Sequence, residues 1–282
     1  MKVLVTGANG QLGYDVVEEL RKRNIEYYGA TRKDFDIIDF KTTKNFIIKY
    51  MPDAVIHCAA YTAVDKAEDE QGLCYLVNAS ATENIAEICK QINAKMLYVS
   101  TDYVFGEGNQ DLWLADSKIF NPVNIYGKTK LEGENAVSNI LEKFFIVRTS
   151  WSFGQKGNNF VKTMLKLGET NKCLKVVNDQ IGRPTYTYDL AKLLVKMICT
   201  EKYGYYNATN EGEFVSWYDF ACEIFKRADY KVKVMPILSS DYRLMAARQH
   251  NSKLDTNKLE KMNFEKLPDW KDALKRYLEI YK

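Results

Sequence analysis

Histidine and proline are scarce in this chain, with 2 and 5 in 282 residues. His57 and His250 stand too far apart in sequence to suggest a histidine-built metal site. The six cysteines, at 58, 74, 89, 173, 199 and 222, include no CxxC pair and no zinc-like spacing. Isolated cysteines in a chain that shows no export signal predict reduced thiols in a cytoplasmic protein. The opening MKVLVTGANG has only a short apolar run before its glycines, unlike a signal peptide. Nowhere does an apolar run approach the roughly 18 residues needed to cross a bilayer. A strong charge of either sign is also missing, since 40 basic and 37 acidic residues leave a net +3. That balance argues against a nucleic-acid partner and against a polybasic membrane surface. What is plentiful is tyrosine, at 19.

Apolar residues make up 46% of the chain, and a chain of this length can bury a sizeable core. In the first half, short β-branched or apolar runs alternate with helical patterns. The runs are 2–6, 26–30, 54–58, 95–100 and 144–149. Helical spacing recurs over 11–23, 42–50, 84–91 and 124–141, as in Leu12, Val16 and Leu20. This alternation predicts an α/β fold, a Rossmann-type doubly wound parallel sheet covered by helices on both faces. Beyond residue 150 the alternation loosens. Helices are expected over 160–167, 188–200, 217–227 and 270–281, with short strands near 175–177, 205–208 and 232–237. The chain therefore divides into a dinucleotide-binding unit over 1–150 and a smaller mixed α/β substrate-binding unit over 151–282. Segments near 174–200 are expected to return to the first unit, and a cleft to lie between the two.

Directly after the first predicted strand comes Gly7-Ala8-Asn9-Gly10-Gln11-Leu12-Gly13. Glycine permits a tight turn and close approach of the backbone to a pyrophosphate, while N–H groups at the helix start supply positive partial charge. A glycine triplet alone is weak evidence, and a plain tight turn would satisfy it. Its place between a strand and an amphipathic helix points to dinucleotide binding by Gly7, Gly10, Gln11, Leu12 and Gly13. An NAD site normally ends its second strand in an acid that holds the ribose 2′-hydroxyl. Here the strand ends Ala30-Thr31-Arg32-Lys33. The cationic pair suits a 2′-phosphate and favours NADPH, with NADH as the alternative should a downstream acid hold the ribose. Asp36 and Ile37 are candidates for the adenine pocket.

Tyr126 and Lys130 form a YxxxK, which stacks both side chains on one helix face. A lysine ammonium there is expected to lower the tyrosine pKa, so that the phenol exchanges a proton with a substrate oxygen. The 19 Tyr and 31 Lys of the chain yield about two such pairs by chance, and two occur, Tyr126/Lys130 and Tyr188/Lys192. Position separates them. Tyr126 follows the fourth strand and its loop, on the side where strand ends line the cofactor crevice. That strand ends in Ser100-Thr101-Asp102, which completes a Ser/Thr–Tyr–Lys set.

With these residues in view, the chain resembles the extended short-chain dehydrogenases/reductases, and within them the dTDP-4-dehydrorhamnose reductase family. The resemblance rests on VTGANGQLG (5–13), HCAAYTAVDKAE (57–68), VSTDYVFGEG (99–108), NIYGKTKLEGE (124–134), IVRTSW (146–151), GNNFVKTML (157–165) and VNDQIGRPTY (177–186). It implies hydride transfer from NADPH to C4 of a dTDP-4-keto-6-deoxy-L-sugar, with Tyr126 as proton donor, Lys130 as its partner and Thr101 on the keto oxygen. Sugar-nucleotide dehydratases of similar sequence carry Asp-Glu after the Thr, whereas Asp102 is followed here by Tyr103, which favours simple reduction. The resemblance also brings Ala59, Ala60, Tyr61 and Asn78 to the cofactor. It brings Asp102, Tyr103, Trp151, Asn159, Gln180, Arg183 and Arg248 to the sugar nucleotide. Arg248 is followed by Gln249 where the family usually has Pro, which puts its diphosphate contact in doubt. A homodimer and an Mg2+ ion at its interface occur among family members. The acidic set for that ion is not identifiable here, so metal stays open. Other readings are a different nucleotide-4-keto-sugar reductase or epimerase, and a non-catalytic NADP-binding subunit similar to that of methionine adenosyltransferase.

Overall fold

The computed structural model describes residues 1–108, 110–242 and 244–281. Six strands form one sheet: β1 (Lys2–Thr6), β2 (Glu26–Ala30), β3 (Ala54–His57), β4 (Lys95–Thr101), β5 (Phe144–Thr149) and β6 (Gly204–Asn207). Their spatial order is 2-1-3-4-5-6. Every neighbouring pair is parallel, as a doubly wound sheet requires. The longer helices are α1 (Gln11–Lys22), α2 (Phe40–Tyr50), α3 (Ala81–Gln91), α4 (Ile125–Ile140), α5 (Phe160–Thr170), α6 (Thr187–Ile198), α7 (Trp217–Ala228) and α8 (Trp270–Tyr281).

Successive strand residues point to opposite faces, and the sequence of β1 fills both. Val3 and Val5 pack with Val16 and Leu20 of α1 and with Leu190, Leu194 and Met197 of α6. Leu4 packs on the other face with Ile47 of α2, Ile85 and Ile88 of α3, and Val137 of α4. Each such fully buried side chain contributes roughly 1.5–3 kcal/mol of transfer free energy. The sheet is thereby sandwiched between helices. Its strand order reverses direction between β1 and β3, and there the carboxyl ends of the strands open a crevice.

The second unit has its own core, in which Phe153, Val161, Leu165, Phe220, Trp270 and Tyr277 are buried together. Small sheets frame it, among them Asn210–Glu211 with Leu267–Asp269. Cys173–Val177 pairs with Lys233–Ile237. Ile181–Gly182 lies between Val215–Ser216 and Asn251–Ser252. Ser152–Phe153 pairs with Thr185–Tyr186. Helix α7 starts on a capping box, with Ser216 and Asp219 each satisfying the other's backbone N–H.

Two placements differ from the periodicity. The strand expected near 175–177 stays in the second unit, and the return to the first is made by α6 and by β6, which closes the sheet edge beside β5. The stretch 64–80, where no helix is expected, forms two short helices, Val64–Asp69 and Gln71–Tyr75, and a π-helical turn, Leu76–Ser80. Among the described residues no helix is long and apolar enough to cross a membrane. All six cysteines are free thiols.

Candidate active site

Gly7 opens the crevice with φ +67°, and a Cβ there would stand 2.8 Å from the backbone N and Cα of Ala59. The first turn can therefore lie against the β3 exit only as glycine. Gly13 is needed for a different reason. A Cβ on it would fall 2.2 Å from the carbonyl oxygen of Gly7, so α1 and its loop could not pack. The turn is closed by a hydrogen bond from Gly10 N to Gly7 O at 2.9 Å. Beneath it, His57 is fully buried between Thr6 and Thr82. Burial, then the charge of Lys130, push its pKa down to about 3, so it is a neutral core imidazole.

From this turn a cleft of about 760 Å³ runs between the two units. Its cofactor-side wall holds Gly7, Gly10, Gln11, Leu12, Arg32, Asp36, Ile37, Ala59 and Ala60. Arg32 is exposed at the end of β2. Asp34, the acid beside it, is engaged by its own turn, accepting from Thr31 N at 2.8 Å and Tyr28 OH at 2.6 Å. The opposite wall holds Thr101, Asp102, Tyr103, Tyr126, Lys130 and Trp151. Thr101 ends β4, and Asn124 caps α4 through Gly127 N at 2.8 Å, which places Tyr126 and Lys130 in its first turns. The Oγ atoms of Ser100 and Thr149, at the ends of β4 and β5, are buried in this cleft and have no hydrogen-bond partner among the described residues. An orphaned hydroxyl costs about 1–3 kcal/mol, which a polar ligand would relieve. The bare glycine turn, the exposed cation of Arg32 and these hydroxyls fit an anionic dinucleotide with a 2′-phosphate.

The electrostatics of the tyrosine–lysine pair differ from expectation. Burial holds the Tyr126 phenol well above its usual range, and Thr101 counteracts it by hydrogen bonding. Lys130 does not offset this, because its ammonium is turned to Val99 O at 2.7 Å and lies 3.9 Å from the centre of the Tyr98 ring. Burial lowers the lysine pKa to about 7, against the opposing pull of Glu134. Tyr126 is thus a protonated donor in this state, not a phenolate.

Other expected site residues lie behind the cleft walls. Asn78 is buried and grips the backbone of Tyr61 from both sides, accepting from its N–H at 2.8 Å and donating to its carbonyl at 3.1 Å. The Tyr61 hydroxyl points away, to Glu70. Asn159 caps α5 and donates to the Gln11 side chain at 2.9 Å, so it joins the second unit to the glycine turn. Gln180 donates to Ser239. Arg183 is turned inward, donating to Leu254 O at 2.8 Å and lying over the Phe214 ring. It is therefore not a contact in the cleft, since its charge is spent on the interior of the second unit. Arg248 forms a bidentate pair with Asp65, at 3.0 and 2.6 Å, and its charge acts on Tyr103 of the cleft wall, which puts it at the cleft rim. Trp151 lines the cleft with φ +49° and stacks on Trp217 at 3.7 Å between ring centres. The sequence reading missed Gln249 as a site residue. Its side chain is 2% exposed and donates to Asp102 at 2.9 Å. Among the described residues no three His, Cys, Asp or Glu side chains are grouped to hold a metal ion.

A parallel Rossmann-type sheet with a glycine turn at its switch point, and a Thr, Tyr and Lys on the facing wall, define a nucleotide-cofactor oxidoreductase of the short-chain dehydrogenase/reductase type. The chain belongs to the family described as the RmlD substrate binding domain, whose model matches residues 1–282. It is 40% identical to a dTDP-4-dehydrorhamnose reductase of Aggregatibacter actinomycetemcomitans, over 97% of each chain. It is 37% identical to the spore coat polysaccharide biosynthesis protein SpsK of Bacillus subtilis, over 99% of this chain and 97% of that one. A dTDP-4-dehydrorhamnose reductase of Bacillus anthracis, solved in complex with NADP, superposes with a TM-score of 0.95 at 40% identity, covering 99% of both chains.

Proposed function

We propose that the protein reduces the C4 keto group of dTDP-4-dehydro-6-deoxy-L-mannose to give dTDP-L-rhamnose, using NADPH. The observation that carries this reading is the meeting of Thr101, Tyr126 and Lys130 on one wall of the cleft that the glycine turn opens. Similarity to reductases over nearly the whole chain supports the substrate class. NADPH would lie along Gly7–Gly13, with Arg32 beside its 2′-phosphate, and when bound it supplies the hydride.

The chain's own residues do the rest. Tyr126, kept protonated by its surroundings, gives its proton to the developing alkoxide on C4. Thr101 orients the keto oxygen beside it. Lys130, with a pKa near 7, holds the nicotinamide ribose and carries a positive charge when the phenol has given up its proton. Trp151, Asp102 and Tyr103 form the sugar side of the cleft, and Arg248 stands at its rim. Asn78, Asn159, Gln180 and Arg183 support these walls from behind. Tyr103 in place of a glutamate leaves no second acid beside Thr101 to remove water, so the reaction stops at reduction.

The test is loss of NADPH absorbance on adding the keto-sugar nucleotide. Tyr126→Phe is expected to lower turnover by about 100-fold or more while NADPH binding survives. No substrate-dependent loss of absorbance, or near-normal turnover in the variant, would remove the reading.

A further inference from the structure

Thr101 has one hydroxyl proton and must serve several neighbours. Its Oγ1 donates to Asp102 Oδ1 at 3.1 Å and accepts from Tyr103 N at 3.3 Å. With Asp102 ionised, a carboxylate can only accept. The proton of Thr101 then points at Asp102 and away from the position of a keto oxygen. With Asp102 neutral, its own O–H donates to Thr101, and the Thr101 proton is released toward the cleft.

Gln249 decides which carboxyl oxygen carries that proton. Its Nε2 donates to Asp102 Oδ2 at 2.9 Å, and among the described residues its Oε1 has no partner. Oδ2 is therefore held as an acceptor, and a proton on Asp102 sits on Oδ1, facing Thr101. We propose that Asp102 and Gln249 are positioning residues whose hydrogen bonds set the direction of the Thr101 hydroxyl, the neutral carboxyl being the form competent for reduction. This rests on Thr101 as the residue that orients the keto oxygen in the proposed reaction.

The surroundings favour such a switch. Asp102 is 1% exposed, and burial raises its pKa to about 6 against hydrogen bonds from Ser252, Thr101 and Gln249. Tyr103 and Tyr126 face it as neutral phenols, both held protonated by burial. The nearby charges are engaged elsewhere, Lys130 of α4 with Val99 O and Arg248 with Asp65.

The experiment measures kcat/KM for keto-sugar reduction from pH 5.5 to 8 in wild type, Asp102→Asn and Gln249→Met, and titrates each free protein by difference infrared spectroscopy of its carboxyl groups. The wild-type rate is expected to fall as pH rises through about 6, approaching tenfold per unit. In Asp102→Asn the amide accepts from Gln249 and donates to Thr101, as neutral Asp does, so kcat/KM changes less than about twofold over the range. Gln249→Met removes a donor to the carboxylate and moves the limb upward by about one pH unit. The infrared titration, which needs no substrate, is expected to show two carboxyls near pH 6 in wild type, those of Asp15 and Asp102, and one fewer in Asp102→Asn. An identical limb in Asp102→Asn, an unmoved limb in Gln249→Met, or no loss of a carboxyl near pH 6 in Asp102→Asn would each overturn the proposal. Absence of wild-type turnover would instead count against the reaction itself.

Discussion

Replacing Glu134 by Gln should destabilise the protein severely, although neither the glutamate nor its partner touches solvent or the cleft. Arg148 on β5 is fully buried and donates from Nε and Nη2 to the two Glu134 oxygens, at 2.8 and 2.6 Å. Its third bond runs to Ala115 O at 3.0 Å, and the Phe105, Phe120 and Tyr205 rings pack around the guanidinium. No water can take the place of the carboxylate in such a site. Removing one partner of a buried pair costs about 3–5 kcal/mol, because the remaining charge is left uncompensated. At a urea slope of about 3 kcal/mol per M, this lowers the denaturation midpoint by about 1–1.7 M. The double variant Glu134→Leu/Arg148→Met removes both charges and should recover most of the loss, since buried pairs often exchange for apolar residues at little net cost. The pair also ties α4 to β5 one helical turn beyond Lys130, and Glu134 holds the Lys130 pKa up. Glu134→Gln should therefore lower the lysine pKa further. A midpoint within 0.3 M or so of wild type, or a double variant worse than the single, would refute the assignment of a desolvated, mutually dependent pair.

Two further outcomes concern Arg32 and Asp15. Arg32→Ala should weaken NADPH about 10- to 100-fold, the range for a charged hydrogen bond to phosphate, and leave NADH nearly unchanged. Equal losses in a titration with both nucleotides would count against a 2′-phosphate at Arg32. Asp15 on α1 is buried against Thr187, and burial raises its pKa to about 6. Its neutral form is the one the fold prefers, so its contribution to stability is complete below the unfolded pKa near 4 and is lost as pH rises toward 6. Asp15→Asn should therefore gain about 2–3 kcal/mol over wild type at pH 8 and almost nothing at pH 4. A gain independent of pH in chemical denaturation would contradict burial as its source.

The sheet is legible in the sequence because its causes are local. A run such as Lys2–Thr6 buries both faces, and Gly7 and Gly13 answer steric demands set within one strand–turn–helix unit. The small sheets of the second unit are not legible in this way. Strands of two residues, such as Ile181–Gly182 and Ser152–Phe153, have no period, and their partners come from distant segments. The helices over 64–75 are equally silent. They carry too few apolar residues for a stripe, and they are held by contacts such as that of Asp65 with Arg248.

Spacing predicts which side chains share a face, but not what each one then touches. Tyr126 and Lys130 do lie in successive turns of α4, yet the lysine reaches past the tyrosine to Val99 O, because a buried ammonium takes the nearest carbonyl. The same rule explains Arg183. It is the one cation of its motif, and its partner Leu254 lies 71 residues away, so no local pattern could reveal that its charge is used internally. Gln249 shows the converse. An amide at a position read only for a missing proline becomes, once folded, the neighbour that fixes Asp102. Residue type therefore limits what a buried polar group can donate or accept, and the fold alone decides to whom. The cations left to meet anionic ligands in the cleft are accordingly those with no internal partner to satisfy, and among the described residues exposed Arg32 is the one at the cofactor wall.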